Sequence, residues 1–411
     1  MKAIDFSEGK IAGGMEVVKS YGSQGDFWEG LRERVIKRVK TALGRVLAEE
    51  VKGVVGCSKY ERSEERKGYL NGSYERGLLS EYGWIEGIKV PRVRGISWTP
   101  SIWGRHKRRQ RVLDKVILEG FLLGHSAATP GFAPRKTKRM FKRVFKGSIS
   151  AQTVSNVVKL LDQDSEDFRR RRFEDKYRVL ILDGLRIKLS LPVVQEKVVL
   201  MALGIKEDGT KELSGYQVVS SEKECFWWGF LEDLRDRGLR GDNLEVIVHD
   251  GMGGLSSAVA IVYPWVKVQR CVFHKISNLA DKLENPFHRF AIMKDASEIY
   301  EAETLKELYS RLRAFCLKWQ PKEPRKVKNF LRDFEQTLTY REYPEPWRTL
   351  IRTTNPLERF LEELQRRIKP MRRFPNQKSA ERILYGLIFY VLNEQQQDVP
   401  SSKQIYTMSL T

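Results

Sequence analysis

The chain has 411 residues, 41% of them apolar and 31% charged, which is material for two or three domains with cores and argues against a mostly disordered chain. No run of ~18 apolar residues predicts a membrane span, and Met1 to Ser20 lack the apolar stretch of a signal peptide. Lys and Arg outnumber Asp and Glu by 74 to 53, a net charge of +21, which points to a polyanionic partner, nucleic acid above all.

The excess is uneven: residues 101–150 hold 13 basic and 2 acidic side chains. The four cysteines, Cys57, Cys225, Cys271 and Cys316, form no CxxC pair. A disulfide framework or zinc ribbon is not expected, and a reducing cytoplasm fits.

In chain order, residues 1 to about 50 predict helix, with Leu31, Val35, Ile36, Val39, Leu43 and Val46 recurring every three or four positions. Residues 55–100 are glycine-rich and predict short strands and turns. An apolar helix is expected over 112–124. Residues 135–146 read as a basic helix stopped by Gly147, and a second helix runs from about Ser150 to Leu161. Two short helices around a glycine turn suggest a helix-turn-helix. Its second helix would expose Gln152, Thr153, Ser155, Asn156 and Lys159, and Gln and Asn can bond adenine edges in the major groove. An ordinary helical hairpin packed on a core would give the same pattern.

From Tyr177 the texture changes. An apolar run ends at Asp183, a second covers 197–205, and a third follows the turn signal at Glu207-Asp208-Gly209. Short connections suggest an antiparallel meander. Ser221 and Glu224 form a capping-box pattern for a helix to about Arg237. A strand over 244–250 ends at Asp250, a helix follows over 255–262, then a strand over 266–270. The order is βββαβαβ. Residues 275 to about 340 are helical and charged. Pro344, Pro346 and Pro356 bracket a loop, and two last helices cover 356–369 and 379–393.

Asp183 and Asp250 each close an apolar run and each precede a glycine. If the two strands are neighbours, both carboxylates leave the same sheet edge. Such oxygen ligands suit a pair of hard divalent cations, Mg²⁺ or Mn²⁺, which assist in-line displacement at phosphorus. Glu358 is the candidate for the third acid. Locally it also fits a capping box, with Asn355 as N-cap and Pro356 as first helical residue. The aspartates could equally begin turns. A lone Cys271-x-x-His274 offers too few ligands for a closed zinc site. His249 reads as a packed strand residue, and Trp319 as core rather than a base-stacking ring.

Residues 69–76 (YLNGSYER), 227–239 (WWGFLEDLRDRGL), 248–255 (VHDGMGGL), 264–279 (PWVKVQRCVFHKISNL), 354–359 (TNPLER) and 374–376 (FPN) together resemble the Mutator-type transposases of bacterial insertion sequences. The pattern departs at Leu361 and Glu362, where that family often carries Asn and a base. The resemblance implies an α/β fold with a ribonuclease-H-like mixed sheet, an all-helical insertion before the last acid, and a catalytic, metal-binding triad of Asp183, Asp250 and Glu358. The implied division is 1–134 as a mostly helical N-terminal region, 135–175 as a DNA-binding segment, 176–274 as the first part of the core, 275–345 as the insertion, and 346–411 as the helices that complete it.

The implied activity is cleavage at terminal inverted repeats and transfer of the freed 3′-hydroxyl into target DNA, by a homodimer working on the bacterial nucleoid in the cytoplasm. Arg270, His274, Lys275, Asn355, Arg359, Arg366, Arg367, Arg372 and Arg373 lie near the proposed site and are candidates for phosphate contacts. Gln152, Asn156 and Lys159 are candidates in the basic region. The rival functions are a nuclease of the same fold without strand transfer and a non-catalytic DNA-binding regulator derived from a transposase.

Overall fold

A computed structural model of the protein describes residues 24–57, 61, 64–102, 108–110, 112–123, 133–145, 149–190 and 193–397. The expected helix over 1–23, the Gly147 stop and part of the basic tract lie outside the described residues. The chain forms two compact units, which meet in sequence at Val158 and Lys159. Among the described residues no helix is long and apolar enough to cross a membrane. The four cysteines are free thiols.

In the first unit, helix α1 (Gln24–Val55) presents Ile36, Val39, Leu43 and Leu47 to a hairpin of β1 (Tyr69–Ser80) and β2 (Gly83–Arg94). Spacing of three and four puts those side chains on one stripe. Leu31 and Val46, counted in the same periodicity, are exposed; Leu47 is the buried neighbour. The strands are long where short ones are expected. Their glycines sit inside the ladder rather than at turns: the register shifts between Leu70 and Ser73, at Gly72 (φ +73°), and again between Arg76 and Leu78. A bulge absorbs an extra residue without ending a strand. Gly77 is required sterically, because a Cβ there would meet the Trp84 ring at 2.3 Å. Helices α2 (Val112–Leu123), α3 (Ala133–Phe145) and α4 (Ala151–Val158) pack on one another. The Ser150 hydroxyl caps α4 by accepting the Thr153 N–H at 3.0 Å.

Helix α4 stops at Val158, and a separate helix, α5 (Leu161–Arg170), belongs to the second unit. The stretch 150–161 is therefore not one helix. α5 buries Leu161, Ser165 and Phe168, and Phe168 stacks on Tyr216 at 5.9 Å.

The second unit is built on a five-stranded mixed sheet in the order β5-β4-β3-β6-β7. Strands β3 (Tyr177–Leu189), β4 (Gln195–Lys206) and β5 (Lys211–Val219) form the antiparallel meander. Helix α6 (Glu224–Asp236) leads to β6 (Val246–His249), and α7 (Gly253–Val262) to β7 (Lys267–Arg270), both strands parallel to β3. The βββαβαβ order is thus as expected. α6 and α7 cover one face through Trp227, Phe230, Leu231, Leu234, Leu255, Val259 and Val262. The capping box at Ser221 does not form: Lys223 is the N-cap and Glu224 the first helical residue, two positions too early for the reciprocal bond.

Helices α8 (Val272–Ser277), α9 (Arg289–Tyr300), α10 (Leu305–Trp319) and α11 (Pro324–Leu331) make up the strand-free stretch. Buried Glu323 closes its base, accepting the N–H groups of Glu284 (2.8 Å) and Asn285 (3.0 Å). The proline-rich loop contains a short helix, α12 (Trp347–Ile351), and the chain ends in α13 (Asn355–Ile368) and α14 (Gln377–Gln397). α13 packs on β3. Between α13 and α14, Phe374 adds a bridge to the end of β3, exchanging backbone bonds of 2.8 Å with Lys188 and Ser190.

Candidate active site

Asp183 does not end its strand. β3 runs on to Leu189 against β4, while its other neighbour, β6, is paired only over Val179–Ile181 with Val246–Val248. Carried two residues beyond the last pair, this register sets Asp183 beside Asp250, which follows β6 directly. The expected shared edge therefore exists, created by the end of β6 rather than of β3. The Asp183 carboxylate accepts the Gly184 N–H at 2.7 Å, and that of Asp250 accepts the Met252 N–H at 2.8 Å. Gly251 (φ +85°) permits the second turn, and a Cβ there would lie 2.0 Å from Arg270 Nε, so a larger residue would have to displace that guanidinium.

Glu358 comes from the first turn of α13. The capping-box alternative fails on hydrogen bonding. The N-cap is Thr354, and its N–H goes to Cys271 Sγ (3.4 Å), not to Glu358. The Thr354 hydroxyl donates to the Glu358 carboxylate and lies 3.4 Å from His274 Nδ1, which is 3.5 Å from that same carboxylate. Cys271, His274 and Glu358 bring a thiol, a ring nitrogen and a carboxylate oxygen within 4.8 Å of one another. Here the thiol and imidazole bond each other. The network ties the start of α13 to the start of α8, and a further bond runs from Val272 N–H to Arg352 O (3.2 Å). Thr354, fully buried, is the member that sequence reasoning missed. Its position as the residue before Asn355-Pro356 was the available signal, read one residue too late.

The electrostatics are those of a crowded acidic site. Burial pushes the Asp183 carboxyl up to about 7; the Gly184 N–H and the charge of His274 oppose this, and Asp250 and Glu358 add to it. His274 is raised to about 9, first by its bond to Cys271 and then, against its burial, by the charges of Cys271, Glu358 and Asp183. Burial would raise the Cys271 thiol, but the bonds from His274 and Thr354 outweigh it and the net shift is downward. Asp183 feels the charges of Asp250, His274 and Glu358, and His274 those of Glu358 and Asp183, so negative charge is concentrated around one imidazolium. His249, wholly buried, is held near 4 by burial; its Nδ1 accepts the Gly251 N–H (2.9 Å) and its Nε2 has no partner.

Thr354→Val keeps the side chain's shape and removes its hydroxyl. The expected result is a 10- to 100-fold loss of turnover, as for other groups that orient a ligand, with about 1 kcal/mol of stability lost. Unfolding and single-turnover measurements on one preparation check both halves. A parallel collapse of stability would show that the hydroxyl only holds the fold.

The proposed phosphate contacts divide. Lys275 is 5% exposed, and its ammonium bonds the carbonyls of Asn329 and Arg332 at the end of α11, which corrects its reading as a surface contact. Arg270 is turned inward, bonded to Gly251 O (2.7 Å) and to Asp333 (2.8 Å). Asn355 and Arg359 are exposed beside Glu358, and Arg372 and Arg373 are exposed before Phe374. Arg366 and Arg367 both pair with Glu363, and Arg367 also lies over the Tyr390 ring. Leu361 is buried in the contact face of α13, so the departure at that position does not alter an exposed surface; Glu362 does. Gln152 and Asn156 are exposed on α4 and bond each other at 2.8 Å, and Lys159 is exposed just after it. Trp319 is core, donating to Asp295 at 2.7 Å.

Comparison with known proteins gives one consistent result. The family described as "Transposase, Mutator family" matches residues 24–398. The transposase for insertion sequence element ISRM5 of Rhizobium meliloti (strain 1021) is 32% identical over 87% of this chain and 87% of its own length. That for IS905 of Lactococcus lactis subsp. lactis (strain IL1403) is 29% identical over 85% and 86%. That for IS256 in transposon Tn4001 of Staphylococcus aureus is 29% identical over 92% and 95%.

Proposed function

The chain belongs to the Mutator family of transposases, and from that membership we propose that it is a DNA transposase that cuts at the ends of an insertion sequence and joins the freed 3′-hydroxyl to target DNA. The observation that supports this reading most is that Asp183, at a mid-strand position, feels the charges of Asp250, just after a strand, and of Glu358, at a helix start. The sheet supports a ribonuclease-H-like core: three antiparallel strands, two parallel ones and a helical insertion before the last acid.

The donor set fits Mg²⁺ or Mn²⁺, held by Asp183, Asp250 and Glu358. When bound, such ions activate the attacking oxygen and stabilise charge on the phosphate. The protein's own part is placement. The β3–β6 register sets the two aspartates side by side, and Thr354 and His274 orient Glu358. Exposed Arg359 and Asn355, on the same helix turn as Glu358, hold the DNA backbone there. Cleavage spends a water on the phosphodiester and releases the 3′-hydroxyl; that hydroxyl then attacks a target phosphodiester and expels another 3′-oxygen. Both steps are phosphoryl transfers that depend mainly on positioning and charge. The basic region from about 101 to 160 recognises terminal inverted repeats, and two copies act together on paired ends.

Incubation with the element's own ends and Mn²⁺, with products mapped to the nucleotide, is the test. Cut ends joined to target support the reading. Cutting without joining of a pre-nicked end indicates a nuclease, and end binding with no chemistry indicates a regulator. End affinity is expected to fall steeply with salt, with a log–log slope of about −0.9 per phosphate contact. A flat response in a binding titration would remove the basic region from the interface.

A further inference from the structure

The side chains gathered at the start of α13 make up a second kind of donor set. Cys271 and His274, from the first turn of α8, meet Glu358 from α13, and their sulfur, ring nitrogen and carboxylate oxygen lie within 4.8 Å of one another. Around a tetrahedral Zn²⁺, with bonds of about 2.0–2.3 Å, such atoms stand roughly 3.4–3.6 Å apart. His274 Nδ1 and the Glu358 carboxylate are already 3.5 Å apart. The Cys-x-x-His pair, too small a ligand set by itself, thus gains its third member from another helix. Three protein ligands leave a fourth position open to water, and the half-buried His274 and Glu358 give an ion a way in to the buried sulfur.

Two of the three donors carry the outer bonds that fix a metal ligand in place. Thr354 gives its N–H to Cys271 Sγ (3.4 Å) and its hydroxyl to the Glu358 carboxylate, so one buried residue aims both sulfur and oxygen. The donor types choose the ion. Thiolate and imidazole suit Zn²⁺, whereas Mg²⁺ and Mn²⁺ favour oxygen. The ion replaces the bond between thiol and imidazole, and the proton they share leaves to solvent. It also draws on Glu358, which cleavage needs for another purpose.

We propose that Cys271, His274 and Glu358 form an inhibitory site for a borderline-soft divalent cation, Zn²⁺ in particular, whose occupation withholds Glu358 from the hard ions held with Asp183 and Asp250. The inhibition rests on the transposase reading; the binding of the ion does not. The full-length protein is first given Co²⁺ alone, a spectroscopic substitute for Zn²⁺. A thiolate-to-cobalt charge-transfer band is expected in the parent and absent in Cys271→Ser. No band in the parent, or the same band in Cys271→Ser, would overturn the site, and the parent spectrum decides this even if a variant fails to fold. Zn²⁺ affinity, read by competition with a chromophoric chelator, is expected to fall at least about 100-fold in Cys271→Ser and Glu358→Gln, more than the loss of a group that only orients a ligand, and to stay within about tenfold in Asp183→Asn. Zn²⁺ at about ten times its Kd fills about nine sites in ten, so Mn²⁺-dependent end cleavage by the parent should fall about tenfold, while Cys271→Ser, set against its own zinc-free rate, holds within about twofold. Equal inhibition of both would put the inhibitory zinc among the hard-ion acids and overturn the proposal. A cobalt–thiolate band in a parent that never cleaves with Mn²⁺ would remove the transposase reading, and the inhibition with it, while leaving the metal site.

Discussion

Asp183→Asn, Asp250→Asn and Glu358→Gln are each expected to lose at least ~10³-fold in both end cleavage and strand transfer, while binding transposon-end DNA within about threefold of the parent. Each substitution is nearly isosteric and removes one negative oxygen donor from a site whose chemistry depends on placing charge. The side chains proposed to face DNA are untouched: Arg359 and Asn355 are exposed on α13, and the basic helices lie in the other unit. Gel-shift titration and product mapping on the same preparations separate the two effects. Cleavage surviving in all three variants would place the chemistry elsewhere. Loss of end binding in step with cleavage would mean that the acids shape the DNA surface instead.

The second large effect concerns stability, and its sign is opposite to that of activity. The Asp183 carboxyl titrates at about 7 in the folded protein against an ordinary value of 3.8. Between these values the folded state holds a proton that the unfolded chain has released. Stability is therefore fullest below pH 4 and falls as pH rises through about 7, by roughly 2–4 kcal/mol in the absence of metal. Asp183→Asn removes that cost. The metal-free variant is expected to be more stable than the parent by this amount at pH 8 and indistinguishable from it at pH 4. His274, raised to about 9, adds stability that also declines with rising pH, over about 6.5 to 9, but both proteins share most of it. Denaturant titration at the two pH values checks the difference. Mn²⁺ is expected to stabilise the parent at pH 8 and to leave Asp183→Asn nearly unmoved, by linkage. A parent that loses no stability between pH 4 and 8 relative to the variant would mean that Asp183 titrates normally.

Much of this arrangement is legible in the chain itself. Apolar runs, turn residues and the two Asp-Gly pairs give the βββαβαβ order, since burial on both faces demands near-continuous apolar strands. The continuation of β3 was equally open to view: Leu185, Ile187 and Leu189 alternate with Arg186 and Lys188, the period of a strand with one covered face. Reading Asp183-Gly184 as a turn hid it, because sequence does not say that one neighbouring strand stops while the other goes on. The partners of Glu358 lie beyond local pattern altogether. Thr354 meets a thiol 83 positions away, and Lys275 is buried by carbonyls 54 and 57 positions away. A lysine in a basic stretch gives no local hint of such a destination.

The closure beside Glu358 carries a consequence for how such chains change. The polypeptide leaves at Cys271 and returns at Thr354, and those two residues are bonded to each other. Farther out, Glu323 clips the segment shut a second time, on Glu284 and Asn285. What lies between the outer clip's ends folds back on the closure: Tyr300 bonds Thr337 at 3.0 Å and Tyr309 bonds Glu335 at 2.9 Å. The exposed turns of that stretch can gain or lose residues at a cost that grows only with the logarithm of length, because the acid at the tie is held by the two closures and by those contacts. Natural variation and deliberate grafting should find the turns permissive, and the residues of the knot and of the fold-back intolerant.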